Sequence, residues 1–301
     1  MDSGRPVAVV TGASSGIGKA IAGRLATSGF EVFAGVRKQQ DADAIADTGQ
    51  LRPLLVDVTD SGSIAAAAAE VRTAAGDRGL AALVNNAGVG MTGPIEALPV
   101  DTFRRQYEVN VFGQIAVTQA FLPLIRVAAG RIVNTGSVGD RLSLPFGAPL
   151  ASSKWAIAAI TESLRLELRP WGIYVILLEP ASIHTEVVAK VEQNTASVID
   201  RFDDLQRARY AGTYQAMMRN LARNERAGSG PEVVAETVHR ALTVRRPRTR
   251  YLVGKDARKL AFMARLPDRV FDQIRVRMFG LPAQFGGMRA ADARLRAGRD
   301  G

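Results

Sequence analysis

Three glycines near the start of the chain, Gly12, Gly16 and Gly18 in the run TGASSGIG, have the types and spacing to hold a phosphorylated ligand. Gly12 permits a tight turn, Gly16 lets the backbone approach a pyrophosphate with no Cβ in the way, and Gly18 allows a helix to pack closely on a strand. Ser14, Ser15 and Ile17 complete the lining of such a loop. A helix opening here would offer unpaired N–H groups and a partial positive charge to the anion. A second group, Arg37 and Lys38, follows an apolar run that ends at Val36. A basic side chain there suits the 2′-phosphate of an adenosine ribose through charge-assisted hydrogen bonds, which favours NADP(H) over NAD(H).

These residues need a strand before them and a helix behind them, and the hydrophobic pattern supplies both. Short apolar, β-branched runs at 6–10, 31–36, 51–56, 81–85, 131–135 and 174–178 alternate with helix-length stretches, the first at 16–28. A helix over 231–243 leads to a seventh run at 251–253. Strands apolar on both faces and separated by helices belong in a parallel sheet with right-handed crossovers and a ligand crevice at the strands' carboxyl ends. The expected fold is a single doubly wound α/β domain of Rossmann type with a seven-stranded parallel sheet.

The segment 183–230 interrupts the alternation after the sixth strand. With Tyr210, Tyr214, Met217 and Met218 among many charges, it reads as a substrate lid inside a domain spanning 1–254. Residues 255–301 form a basic, amphipathic extension whose apolar positions, among them Leu260, Phe262, Leu266 and Phe271, predict one or two helices broken at Pro267. The net charge of +10 lies entirely beyond residue 244, where 15 basic residues face 5 acidic ones. Such an extension suits a solvated face, a subunit neighbour or peripheral contact with anionic lipid; nucleic acid is not expected, because no aromatic stacking set accompanies the charge. There is no cysteine, and His184 and His239 are the sole histidines, so thiolate chemistry is excluded and no metal site is expected. The absence of an N-terminal basic and apolar leader pattern, and of about 18 uninterrupted apolar residues, gives a cytoplasmic expectation.

Taken together, the motifs resemble those of the short-chain dehydrogenase/reductase family over about residues 5–255, and the ending with its basic extension resembles the hydroxysteroid and retinol dehydrogenase subgroup. The glycine loop, Asp57 and Val58 after the third strand, Asn86, Ala87 and Gly88 after the fourth, Asn110, Ser137, and Lys154 seventeen residues after Ser137 all fall where that family has them. The resemblance implies that Asp57 and Val58 meet the adenine, and that Asn86 to Gly88 support the sheet and the adenosine side. It further implies that Pro180 and Thr185 lie at the nicotinamide or phosphates. Family members act on small molecules, here a lipophilic one, and a homodimer or homotetramer through helices at about 100–128 and 150–169 is expected.

In the family's catalytic set Ser137 would hydrogen-bond the substrate oxygen. Lys154 would bind the nicotinamide ribose and lower the pKa of a tyrosine, and Asn110 would hold a water leading protons to bulk. That tyrosine belongs four residues before the lysine, one helical turn away, and the position is Leu150. Leucine has no proton to give, and losing a positioned general acid costs about 10²- to 10⁴-fold in rate. Ala181 also stands where the family usually has glycine. Three readings follow. A displaced donor could act, from among Asp140, His184, Tyr210 and Tyr214. A reaction could need no acid there, such as hydride delivery to an iminium or conjugated acceptor, or non-redox cyclisation or isomerisation. Or the chain could be a cofactor-binding pseudoenzyme. The leading expectation is an atypical oxidoreductase for a hydrophobic carbonyl, imine or alcohol.

Overall fold

The computed structural model describes residues 4–185, 187–282, 284–286, 288, 289 and 292; parts of the expected lid and extension, including 293–301, lie outside the described residues. Seven strands alternate with helices: β1 (Val7–Thr11), α1 (Gly16–Thr27), β2 (Glu31–Val36), α2 (Gln39–Asp43), β3 (Leu51–Leu55), α3 (Ser61–Ala75) and β4 (Ala82–Asn85). Then come α4 (Val100–Tyr107), a π-helical turn at Glu108–Phe112, α5 (Gly113–Ala128), β5 (Arg131–Thr135), α6 (Ala148–Leu168) and β6 (Tyr174–Pro180). The chain continues through α7 (Val187–Asp200), α8 (Asp204–Arg226), α9 (Glu232–Thr243) and β7 (Arg250–Val253) to α10 (Ala257–Met263) and α11 (Asp268–Met278).

The strands form one parallel sheet in the order β3-β2-β1-β4-β5-β6-β7. Period-two alternation explains its two-sided burial. Ala8 and Val10 of β1 face one apolar cluster with α1 and α9, while Val7 and Val9 face the other with α3 and α5. The strand order reverses between β1 and β4, so the crevice for a ligand opens where the glycine loop and Asn86 leave the sheet.

Strand β6 runs two residues past its expected end, to Pro180, because Glu179 and Pro180 pair with Leu252 and Val253. The helical run Val100–Ala128 contains an 18-residue stretch apolar enough to pass for a membrane span by composition, at a mean hydropathy of 1.4. Its Val117, Phe121, Leu124 and Ile125 are packed into the core under the sheet, as a core helix requires. The expected break in the extension is Pro267, which caps α11 after α10 has ended. Both helices are tied to the sheet domain, since Ala257 and Phe271 are buried with Val138, Leu142 and Ala181.

Candidate active site

The phosphate loop is built by backbone constraint. Gly12 adopts φ +67° and Gly16 φ +53°, a region that side-chain-bearing residues rarely enter. A Cβ on Gly12 would stand 2.8 Å from Ala87 Cα, and one on Gly18 would stand 2.1 Å from the Gly12 carbonyl oxygen. Asn86 holds the same turn from β4, its amide donating to the carbonyls of Thr11 (3.0 Å) and Gly12 (3.3 Å). The Thr11 hydroxyl accepts in return from the backbone N–H groups of Asn86 and Ala87, both at 3.0 Å. Ser15 caps α1 with no side-chain bond of its own, and no acidic residue occupies the first turn. The helix therefore keeps free donors and its partial positive charge for an anion. Gly16 faces Thr185, expected at the nicotinamide or phosphates: a Cβ there would meet Thr185 at 3.3 Å, so Thr185 closes over the loop from beyond β6.

At the end of β2, Arg37 and Lys38 are exposed, and Lys38 caps α2. Burial pulls the Asp57 carboxyl up, but hydrogen bonds from the Thr59 backbone and hydroxyl, with attraction from Arg37, hold it below its ordinary value. Arg37 thus reaches the same corner as the half-buried Asp57, beside the buried Val58, where an adenosine end would sit.

Ser137, Leu150 and Lys154 line one cavity of 540 Å³ together with Ile17, Pro180 and Thr185. Residues expected at the phosphates, at the nicotinamide and at the reacting centre therefore share one wall, while those expected at the adenosine end lie outside it. Ser137 Oγ accepts from Gly139 N at 3.0 Å and lies 3.4 Å from the Pro180 carbonyl. Lys154 Nζ donates to the Thr135 carbonyl at 2.7 Å. Burial pulls its pKa down to about 8 against an opposing pull from Asp140. Leu150 sits one turn before Lys154 on α6, with its Cδ2 3.7 Å from where a Cβ on Gly90 would be. Asn110 takes a different place. On the π-helical turn, fully buried, it accepts from Val89 N (2.8 Å) and donates to Val89 O (3.0 Å) and Ser153 Oγ (3.2 Å). Its amide clamps the strand exit after Gly88 to α6 and does not line the cavity.

None of the four displaced donors named from the sequence lines that cavity. Tyr210 donates to Glu96, and the Tyr214 hydroxyl is bound to Thr92 at 2.9 Å. His184 is exposed, its backbone N–H engaged by Ser229 O at 2.8 Å. Asp140 is buried with no hydrogen-bond donor on either oxygen, although Arg250 (3.7 Å) and Arg141 (3.9 Å) lie within ion-pair distance of Oδ1. It faces Glu179, which is held by Arg141 (2.5 and 3.0 Å) and Arg250 (2.9 Å). Burial and the Glu179 carboxylate push Asp140 up to about 8, so at neutral pH it keeps its proton and points it at Glu179. The site tolerates Asp140 because residue 136 is glycine: a Cβ there would stand 2.9 Å from Asp140 Oδ2.

Three titratable cavity residues, Glu225, Asp256 and Lys259, escaped the sequence reading. Glu225 of α8 lines the wall with Met217, Met218, Leu221 and Asn224. The signal was present: these five positions recur at helical spacing, so the carboxylate falls on the apolar stripe of its helix.

The short chain dehydrogenase family model matches residues 6–196. An NADPH-dependent 3-dehydrocapnine reductase of Ornithobacterium rhinotracheale is 35% identical over 89% of this chain and 95% of that protein. Human 17-beta-hydroxysteroid dehydrogenase type 1 is 39% identical over 82% of this chain and 77% of its own. Among solved structures, a short chain dehydrogenase from Burkholderia cenocepacia J2315 in complex with NADP superposes with a TM-score of 0.69 at 27% identity, covering 92% of this chain and 99% of that one. A relative from Burkholderia phymatum in complex with NAD gives a TM-score of 0.72 at 25% identity, covering 95% and 98%.

Proposed function

This chain belongs to the short-chain dehydrogenase/reductase family, and on that premise we propose that it is an NADP(H)-dependent oxidoreductase for a hydrophobic carbonyl, imine or alcohol that works without the family's tyrosine. The observation that carries this reading is the single cavity in which Ser137, Leu150 and Lys154 meet Ile17, Pro180 and Thr185. Membership of the family supports the oxidoreductase class. The choice of NADP(H) is supported by Arg37 beside Asp57, by the name of the NADPH-dependent relative and by the NADP-bound structural neighbour.

The residues fit a dinucleotide. The turn at Gly12 and Gly16 leaves donors free, Gly18 leaves no space for a side chain, and Thr185 covers the loop. When bound, the nicotinamide supplies or takes up a hydride at the substrate carbon. Ser137 offers its hydroxyl to the reacting oxygen or nitrogen. Lys154 holds positive charge on the ribose side. Leu150 presents methyl groups where a proton would be handed over, so an alkoxide formed there is left without a positioned acid.

The test is consumption of NADPH and NADH with a panel of lipophilic ketones and imines, run beside Leu150→Tyr. The parent should prefer NADPH and turn over at least one member of the panel. Leu150→Tyr should raise ketone reduction by about 10²-fold or more. Tight NADPH binding with no consumption on any compound, and no gain in L150Y, would instead favour a non-redox cyclase or isomerase, or a cofactor-binding protein.

A further inference from the structure

Glu225 is placed where a carboxylate has little local reason to be. It lies in the last turn of α8, a helix of 23 residues, where the partial negative charge of the helix terminus opposes an anion. Its side chain is partly buried on a cavity wall whose other contributions from this helix are Met217, Met218 and Leu221. Among the described residues its carboxylate makes no hydrogen bond and no ion pair. Burial pushes its pKa up, the direction of a carboxyl group that lacks a cation.

The remaining charged groups on the wall do not supply that cation. Lys154 spends its ammonium on the Thr135 carbonyl, and Lys259, which lines the cavity beside Asp256, forms no salt bridge with Glu225. Lys255, which follows β7, donates to the Ala227 carbonyl at 3.0 Å. A carboxylate, the carbonyl end of a helix and the side chain of Asn224 therefore converge on one apolar stretch of the wall, formed by Met217, Met218 and Leu221, in a chamber that also carries Lys154, Asp256 and Lys259. That combination attracts a positively charged group carried on an apolar body.

We infer that Glu225 is the counter-ion for a lipophilic nitrogen cation, so that the substrate class of this site is an iminium or an amine-bearing ketone of low polarity. The inference rests on the reading of the site as an NADP(H)-dependent reductase and deepens it. It also accounts for Leu150. With a C=N⁺ substrate the reduced nicotinamide gives up its hydride and is oxidised to NADP⁺, while a new C–H bond forms at carbon. The C=N π pair becomes the nitrogen lone pair of a neutral amine. No proton is needed in that step, and an aliphatic residue at position 150 costs nothing. With an amino ketone, Glu225 holds the ammonium, hydride adds to the carbonyl carbon, and the alkoxide takes its proton from a solvent water, which leaves as hydroxide.

Two measurements test this on the full chain saturated with NADP⁺. The first is calorimetric binding of benzyltrimethylammonium against its uncharged carbon isostere, neopentylbenzene, with parent and Glu225→Gln. The parent should prefer the cation by about 10-fold or more, and E225Q, with unchanged fold by circular dichroism and unchanged NADP⁺ affinity, should lose that preference. Equal binding of the two by the parent, or a preference retained in E225Q, overturns the inference. The second is NADPH turnover of an N-methylated cyclic iminium, whose charge is permanent, against an amino ketone of equal length. A loss in E225Q confined to the iminium places the cation at the reacting carbon, and a loss confined to the amino ketone places it beside a carbonyl. A loss in E225Q that falls equally on an uncharged ketone would make Glu225 a proton donor and overturn the counter-ion role. Cation binding that persists in a chain with no affinity for NADP⁺ would defeat the reductase reading while leaving the counter-ion standing.

Discussion

Between about pH 4 and pH 8 the folded protein holds a proton on Asp140 that the unfolded chain gives up at 3.8. The folded state binds the extra proton in that window, so the stability Asp140 contributes is present at acid pH and lost as pH rises toward 8. Lys154 runs the other way. Its folded value of about 8 lies below the ordinary 10.5, so the unfolded chain binds the extra proton between them and the deficit shrinks above pH 8. Asp140→Asn removes the first slope while keeping the shape of the side chain. Its melting temperature relative to the parent should be higher at pH 8 than at pH 5, with about 2–4 °C expected for each kcal/mol. A difference that does not change with pH would show that Asp140 is ionised throughout. The pairing of Asp140 with Gly136 could not be read from the sequence. Nothing in the spacing of Gly136 and Asp140 says that one carboxyl fills the space of the other's missing side chain.

At the scale of elements, the strands and the glycine loop were legible because their determinants are local. Each strand is a run of apolar residues bounded by turns, and the loop is a turn whose glycines are adjacent in sequence. The i, i+4 relation of Leu150 and Lys154 was legible for the same reason. The cavity roof was not. Leu260 and Met263 of α10, and Met278 with the following Phe279, reach the cavity across a fold whose packing depends on contacts distant in sequence. Asn110 shows the same limit, since its position was found but the direction of its amide depends on Val89 and Ser153. Phe271 of α11 ties this roof to Val138 and Leu142 behind Ser137. Phe271→Ala should cost about 3 kcal/mol in stability. It should also raise KM for lipophilic substrates without changing NADP⁺ affinity, because β1 and α1 are not part of that cluster. Unchanged KM in a folded variant would show that α11 is not a wall of the working site.

For the whole molecule, some of the exposed apolar side chains among the described residues lie where assembly is expected, and others, Ile95, Phe262 and Phe285 among them, lie elsewhere. Phe112, in the π-helical turn, is 52% exposed, and Trp155 and Leu166 of α6 are 49% and 62% exposed. These support the proposal of a homodimer or homotetramer through α4–α6. Leu166→Glu should shift sedimentation toward the monomer with little effect on the melting of the monomeric fold; a monomeric parent would remove the proposal. Part of the basic excess, Arg246, Arg248, Arg250 and Arg258, lines one surface groove together with Arg141 and Arg240. Contact with anionic lipid through the basic extension at 255–301 is the proposal its charge supports.

The segment between β6 and α9 leaves and rejoins the sheet domain at one point. Ile183 pairs with Ser229, the Ser229 N–H donates to the Ser182 carbonyl at 2.9 Å, and Ser229 O accepts from His184 N at 2.8 Å. A stretch whose entrance and exit are fastened to each other behaves as a cassette: what lies within it can be rewritten while the frame keeps its geometry. Glu225 is inside that cassette, whereas Ser137, Lys154 and the glycine loop are outside. Descendants of this scaffold could therefore change what they accept without disturbing how they hold a dinucleotide, and transplanting 183–229 into a relative should carry the taste for charge along with it.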